Sequence, residues 1–284
     1  YFINFADASA KMNIEPTLVY RYGKAIDDDI MQHFAAFAAN IQNYTRKAVP
    51  GSFGCLNRQL PALFTLNELE IIPAKQPFIR DVWFADIQVM AARSEEGNDS
   101  GFYLAAKGGH NDESHNHNDV GNFIIYHDGK PVIIDAGAQT YTRQTFSDRR
   151  YELWNNQSAY HSLPTINGVM QKEGQDYKAR HVKYTIDDDK AQFSLNIAGA
   201  YPPEALVNSW QRTITLHRGK IIELQESYSL SKFVEPFALS FLTPRKPNLD
   251  GSGEISLSSS AKNFIIKYDN TLFEPHFETI EIND

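Results

Sequence analysis

A single cysteine, Cys55, occurs in 284 residues, so no internal disulfide can form and a small secreted module built on disulfide bridges is excluded. No apolar run approaches the roughly 18 to 20 residues that a membrane-spanning helix needs. Lys/Arg-rich tracts are missing as well: 27 basic against 35 acidic side chains give a net charge of -8, which argues against nucleic acid as a partner. A cleft can still be locally basic on an acidic protein, so an acidic polysaccharide stays open as a ligand. Absent too are HExxH, a Gly-rich phosphate loop, a GxSxG elbow and CxxC, and with them the chemistries those motifs serve. Cys55 has no histidine near it in sequence and reads as an inert thiol. Residue 1 is Tyr, without an initiator Met or a basic signal-peptide start, and the expectation is a piece of a longer protein.

What is present fits an ordinary globular protein of about two domains, with 42% hydrophobic, 12% aromatic and 22% charged residues. Residues 25–43 read as a helix: Asp27, Asp28 and Asp29 suit a helix N-terminus, and Ile30, Phe34, Phe37, Ala38 and Ile41 follow at helical spacing as its buried stripe. Pro50-Gly51-Ser52 marks a turn. A shorter segment around Leu56, Leu60 and Leu63 is a second helix that Pro61 starts late or breaks. Few helices here can build little core alone, so residues 1–80 read as the tail of a larger helical domain or a cap.

From about residue 82 the period changes to short strands. Trp83–Arg93 and Phe102–Ala106 flank the turn material Glu95–Asp99. Phe123–Tyr126 and Val132–Ile134 enclose Asp128-Gly129 as a hairpin turn. Three more hairpins pair 181–186 with 191–197, 209–216 with 221–228, and 254–258 with 263–268. The fold class expected for 81–284 is mainly β, an antiparallel β-sandwich of two packed sheets.

Five of the nine histidines, His110, His115, His117, His127 and His161, fall within residues 110–161. If Ser114–His117 is a strand, His115 and His117 share one face. Asp135 follows the apolar Ile133-Ile134, and a carboxylate buried there needs a cation or hydrogen-bond donors. Two interpretations stand side by side at this point: a divalent site of two histidines and one aspartate with nitrogen and oxygen donors suited to zinc, or histidines hydrogen-bonded in a polar loop. A metal cupin also uses HxH but adds a glutamate soon after; here Asn118, Asp119 and Gly121 follow His117. A paired-carboxylate glycoside hydrolase has no positive support.

Ser114-His115-Asn116-His117-Asn118-Asp119-Val120-Gly121, with Phe123, Asp128-Gly129, Asp135-Ala136-Gly137 and Tyr141, resembles the C-terminal part of the heparinase II/III family of polysaccharide lyases. The likeness extends through Trp83–Val89, Tyr160-His161-Ser162, Ala200-Tyr201-Pro202 and Trp210-Gln211-Arg212. The resemblance implies an N-terminal α/α toroid, of which 1–80 would be the end, joined to an antiparallel β-sandwich. It implies a structural divalent metal, zinc, on His117, Asp135 and His161, with His115 facing the cleft as catalytic base or charge-stabilising partner. The implied reaction is β-elimination on a uronic-acid polysaccharide of heparin, heparan sulfate or alginate type, in a bacterial periplasmic or secreted protein. The family's catalytic tyrosine belongs to the toroid, upstream of this chain, so Tyr141, Tyr151 and Tyr160 are expected in structural or substrate-lining roles and the fragment alone in an inactive state. Lys107, Arg143, Arg149 and Arg150 are candidates for binding carboxylate or sulfate groups. The rival is a non-catalytic carbohydrate-binding or structural β-sandwich.

Overall fold

The computed structural model describes residues 1–44, 56–258 and 263–281. Cys55 and the Pro50-Gly51-Ser52 turn lie outside the described residues. The chain forms two compact units, one of Lys11–Ile79 with Glu96–Asn98, the other of Tyr1–Ala10, Arg80–Glu95 and Asp99–Asp284. The first ten residues therefore go with the β-rich unit, whereas the sequence places them in a helical segment running to residue 80.

The smaller unit holds α1 (Pro16–Ala25), α2 (Asp29–Ile41) and α3 (Leu56–Leu69). Pro16 opens α1, where its missing N–H costs nothing. Asp28 caps α2 by accepting a bond from the Met31 amide at 2.9 Å. The helical period was legible, and of the stripe expected on α2, Ala38 is buried, Phe34 and Phe37 are half-buried and the end residues are exposed. In α2 the buried residues are Ala35, Ala36, Ala38 and Ala39, while Ile30 and Ile41 are exposed. In α3 they are Ala62, Leu66 and Leu69, with Leu56, Leu60 and Leu63 exposed. On α2 the approach is close: a Cβ on Gly23 of α1 would stand 3.0 Å from Met31 Cβ, and between backbones that near, alanines fit where longer side chains do not. Pro61 sits inside α3 without ending it, because its fixed φ is helical and only one main-chain bond is lost.

The strands of the larger unit are, in chain order, β1 (Asp81–Phe84), β2 (Val89–Arg93), β3 (Phe102–Lys107), β4 (His110–Asn111), β5 (Phe123–His127), β6 (Lys130–Ile133), β7 (Pro164–Thr165) and β8 (Gly174–Lys178). There follow β9 (Arg180–Ile186), β10 (Lys190–Asn196), β11 (Val207–His217), β12 (Ile221–Leu230), β13 (Ala238–Leu239), β14 (Pro247–Leu249), β15 (Glu254–Ser258) and β16 (Asn263–Lys267). They build a five-stranded sheet β1-β2-β3-β5-β6, a four-stranded sheet β12-β11-β10-β9, a three-stranded sheet β14-β15-β16 and the short pairs β4-β8 and β7-β13. The fold is mainly β and antiparallel, as expected. One strand needed dividing: the run Trp83–Arg93 is a hairpin, with Ala85–Gln88 as its turn and Gln88 at φ 52°. The Asp128-Gly129 turn forms as expected, both residues at positive φ in the two-residue loop that suits strand twist.

Side-chain alternation explains the layering. Met90, Ala92, Leu104, Ala106, Phe123 and Ile125 of the five-stranded sheet share a core with Ala191, Phe193, Leu195, Trp210, Ile214 and Leu216 of the four-stranded sheet. A fully buried Phe, Leu or Ile there contributes roughly 1.5–3 kcal/mol. The opposite face of the five-stranded sheet is buried as well: Ala91, Ala105, Ile124 and Tyr126 pack with Ile3 and Phe5 of the N-terminal segment. That cover explains the unbroken apolar run of β5 and carries residues 1–10 to the place where Asp135 emerges.

Candidate metal centre and histidine cluster

Three loops converge where β6 ends. His117 lies between β4 and β5, Asp135 two residues after β6, and His161 just past the 3-10 turn Ser158–Tyr160. The structure brings them together: each offers a ligand atom within 4.8 Å of the other two, and all three side chains are closed off from solvent. Gly121 permits this packing; its φ is 89°, and a Cβ would stand 2.7 Å from Ile197 Cγ2. Arg212, fully buried on β11, donates to the Gly121 carbonyl at 2.8 Å and to the Ser162 carbonyl at 2.5 Å, tying the loop of His117 and the residue after His161 to the four-stranded sheet. Its charge is met by Glu226, which also accepts from Trp210 Nε1 at 2.6 Å.

Asp135 is heavily bonded. Oδ1 accepts from the Gly137 amide at 2.8 Å, and Oδ2 accepts from Asn122 Nδ2 at 2.6 Å and from His161 Nδ1 at 3.1 Å. Asn122 also accepts from the Ser162 amide at 2.9 Å, so one buried amide joins the strand entrance of β5 to the His161 segment. His117 donates from Nε2 to Asp7 Oδ1 at 2.9 Å. Each imidazole thus gives its proton to a carboxylate, and the other ring nitrogens, His117 Nδ1 and His161 Nε2, are buried without a hydrogen-bond partner. A buried lone pair without a donor is costly. Two carboxylate-oriented imidazoles plus an aspartate form a donor set that suits a divalent cation of the zinc type.

The titration directions agree with that electrostatic pattern. Burial, then the neighbouring His161, holds His117 below the usual histidine range, the neutral form a metal requires. Burial also works against a charged His161, but the Asp135 carboxylate and its hydrogen bond outweigh it and raise that group. Burial would raise Asp135, and the charge and hydrogen bond of His161 more than reverse it.

His115 sits at the edge. Sequence spacing placed it on a strand with His117; instead residues 114 and 115 form a turn and His115 is left-handed at φ 59°, a conformation costing about 1 kcal/mol for a residue with a Cβ. The two histidines nonetheless meet, at a residue the sequence analysis missed. Asp7 Oδ2 faces His115 Nδ1 at 3.1 Å, accepts from Tyr141 Oη at 2.9 Å and accepts from Arg150 at 2.9 Å. Tyr141 Oη is also 3.1 Å from His115 Nδ1, and the two rings stack at 16°. Burial would raise Asp7, but hydrogen bonds from Arg150, His117 and Tyr141 hold its carboxyl down at about 2. Asp7 follows the largely apolar Ile3-Asn4-Phe5-Ala6, the same signal that marked Asp135, and nothing in its spacing links it to residues more than a hundred positions away.

The basic candidates divide. Lys107 is fully buried, paired with Asp119 at 2.7 Å and Glu113 at 3.3 Å, and is therefore unavailable to a ligand. Arg150 is spent on Asp7 and on the carbonyls of Asn116 and Thr145. Arg149 pairs with Glu152 on the surface, and Arg143 is exposed. Among the tyrosines, Tyr151 accepts from Asn116 at 3.3 Å and Tyr160 packs edge-on to Trp154.

Comparison with known proteins places this architecture. The chain belongs to the heparinase II/III-like family: the family model described as "Heparinase II/III-like, C-terminal" matches residues 81–282. The fold is shared with a heparinase III crystal structure, at TM-score 0.65 and 15% identity over 93% of this chain and 37% of that one. A heparan sulfate lyase HepC from Pedobacter heparinus aligns at TM-score 0.59 and 14% identity, over 93% of this chain and 36% of that one. The chain thus spans little more than a third of the length of these structures. A search of curated proteins by similarity finds no match. Among the described residues, no helix is long and apolar enough to cross a membrane.

Proposed function

We propose that this chain is the C-terminal part of a bacterial periplasmic or secreted polysaccharide lyase that cleaves a uronic-acid-containing polysaccharide by β-elimination, with His115 at the cleft and a structural zinc ion on His117, Asp135 and His161. The observation that carries it is the side-by-side placement of an exposed imidazole and a sealed His–Asp–His cluster in a member of this family. In the reaction the C5 proton of the uronate leaves to a base, the C4–O bond breaks, a C4=C5 double bond forms, and the departing oxygen takes a proton. The C5 proton is weakly acidic until the adjacent carboxylate is neutralised, so donors or cations must meet the enolate-like charge.

His115 has the geometry for this task. With Nδ1 turned to Asp7 and Tyr141, Nε2 is its outward nitrogen, on a side chain 57% exposed. It accepts a proton or stabilises developing charge there. The metal, when bound, supplies fixed positive charge that cross-links three loops; elimination needs no attacking water. His117, Asp135 and His161 would hold it, Asn122 and Asp7 would orient those ligands, and Arg212 would brace the loops behind them. The general-acid tyrosine is expected on an upstream toroid.

The test uses the longest natural form of the protein against a panel of acidic polysaccharides, following the ultraviolet absorbance of the unsaturated uronate product. A signal that His115→Ala abolishes is the expected result. No signal on any uronate, with zinc bound and the fold intact, would overturn the lyase assignment in favour of a binding module.

A further inference from the structure

Among the described residues, Asp7 is the only carboxylate that bonds both histidines of the HxH pair. Its side chain is 6% exposed, and its two oxygens are divided between them: Oδ1 takes the Nε2 proton of His117 at 2.9 Å, and Oδ2 faces Nδ1 of His115 at 3.1 Å. Two further groups, Arg150 and Tyr141, bond that carboxylate. Arg150 donates to Oδ2 at 2.9 Å while also donating to the Asn116 carbonyl, which lies between the two histidines in sequence. Tyr141 donates to the same oxygen. Behind it, Gly137 comes so close to the Asp7 backbone neighbourhood that a Cβ would stand 2.9 Å from the Ala8 carbonyl oxygen, and Asn4 donates to the Asp135 carbonyl at 3.3 Å.

We infer that Asp7 is a positioning residue that couples the buried cluster to the exposed histidine. One oxygen fixes the tautomer and ring orientation of His117, the other those of His115, so that displacing His117 displaces the outward nitrogen of His115 by way of one rigid carboxylate. Tyr141 can donate to Asp7 and accept from His115 at once, which leaves His115 with its proton on Nδ1 and its lone pair on Nε2. This assigns a physical route by which a structural ion, occupying no position in the reaction, governs the group that acts on substrate. The inference deepens the proposed function: its kinetic arm rests on the lyase reading and its chelation arm on the zinc site.

Two measurements test it on the full natural chain. In the first, histidine-selective 15N NMR at a pH where imidazole is neutral reads the tautomer of His115 in the zinc-loaded protein. The expected result is an Nδ1–H signal that gives way to a mixture in Asp7→Asn, and also in the wild type after chelation, with His127 unchanged in both. A His115 tautomer indifferent to both would overturn the coupling, and this arm holds whether or not any uronate is cleaved. In the second, Asp7→Ala lowers kcat by about 10- to 100-fold with KM nearly unchanged, and the same change adds little in a His115→Ala background, because the two act as a unit. Multiplicative losses in that double mutant would show that Asp7 acts elsewhere and overturn its role. Should the panel give no turnover at all, the lyase reading fails while the NMR result still decides the position of His115.

Discussion

His117 and His115 are two residues apart and bond the same carboxylate, yet one is sealed from solvent and the other has 57% of its side chain in the open. The sealed histidine belongs to a cluster in which His117 Nδ1 and His161 Nε2 are buried without a hydrogen-bond partner. The open one is held on a single side, by Asp7 and Tyr141, and is free on the other. Side chains in the first situation determine whether the loops hold together; one in the second can be replaced with little effect on the fold. A two-residue step along the backbone suffices because His115 turns left-handed, directing its ring to the rim while His117 enters the interior.

The sharpest way to break the comparison is on the sealed side. Asp135→Ala removes the carboxylate that His161 and Asn122 both bond, and the expected loss is about 3–5 kcal/mol, read as a lower thermal midpoint together with loss of bound zinc. On the open side, His115→Ala should leave stability within about 0.5 kcal/mol of wild type while turnover on a uronate falls by about 10²- to 10⁴-fold. Equal stability losses in the two variants would erase the distinction.

The proposed metal binding would sharpen it through pH. Asp135 raises His161 despite its burial, so that group holds its proton to higher pH and a bound ion would have to displace it. Zinc affinity should therefore weaken as pH falls, by about tenfold for each proton released per pH unit, and calorimetry at two pH values checks the sign. Stability follows the same direction: chelation should lower the midpoint more at mildly alkaline than at acidic pH, where less zinc is bound to begin with. The smallest effect is expected from Tyr141→Phe, which deletes one exposed hydroxyl from Asp7 and His115; turnover should drop by only about threefold to tenfold, within the range of a lost hydrogen bond, without a change in zinc content.

Much of this was legible from residues alone, for identifiable reasons. The period-2 runs and the Asp128-Gly129 turn announced an antiparallel fold, since alternation and tight-turn chemistry are local properties. Asp135 could be singled out because a carboxylate after an apolar run must find partners wherever it goes. Helix periods were visible as well, but which face of α2 is buried depends on how near the neighbouring backbone comes, a distance marked at Gly23 and nowhere within α2. The basic residues show the same limit: Lys107 and Arg149 look alike in sequence, and only burial separates an ion-paired strut from a surface charge.

The chain alone determined its strands, its turns, and the residue types available for a metal and a proton acceptor, because these depend on neighbours a few positions away. Tertiary structure decided that Asp7 stands between His115 and His117, that Asn122 joins Asp135 to the segment of His161, and that Arg212 braces both loops. Those partners lie up to 110 residues apart, and no local pattern records a contact made only when the N-terminal segment lies across the outer face of the five-stranded sheet.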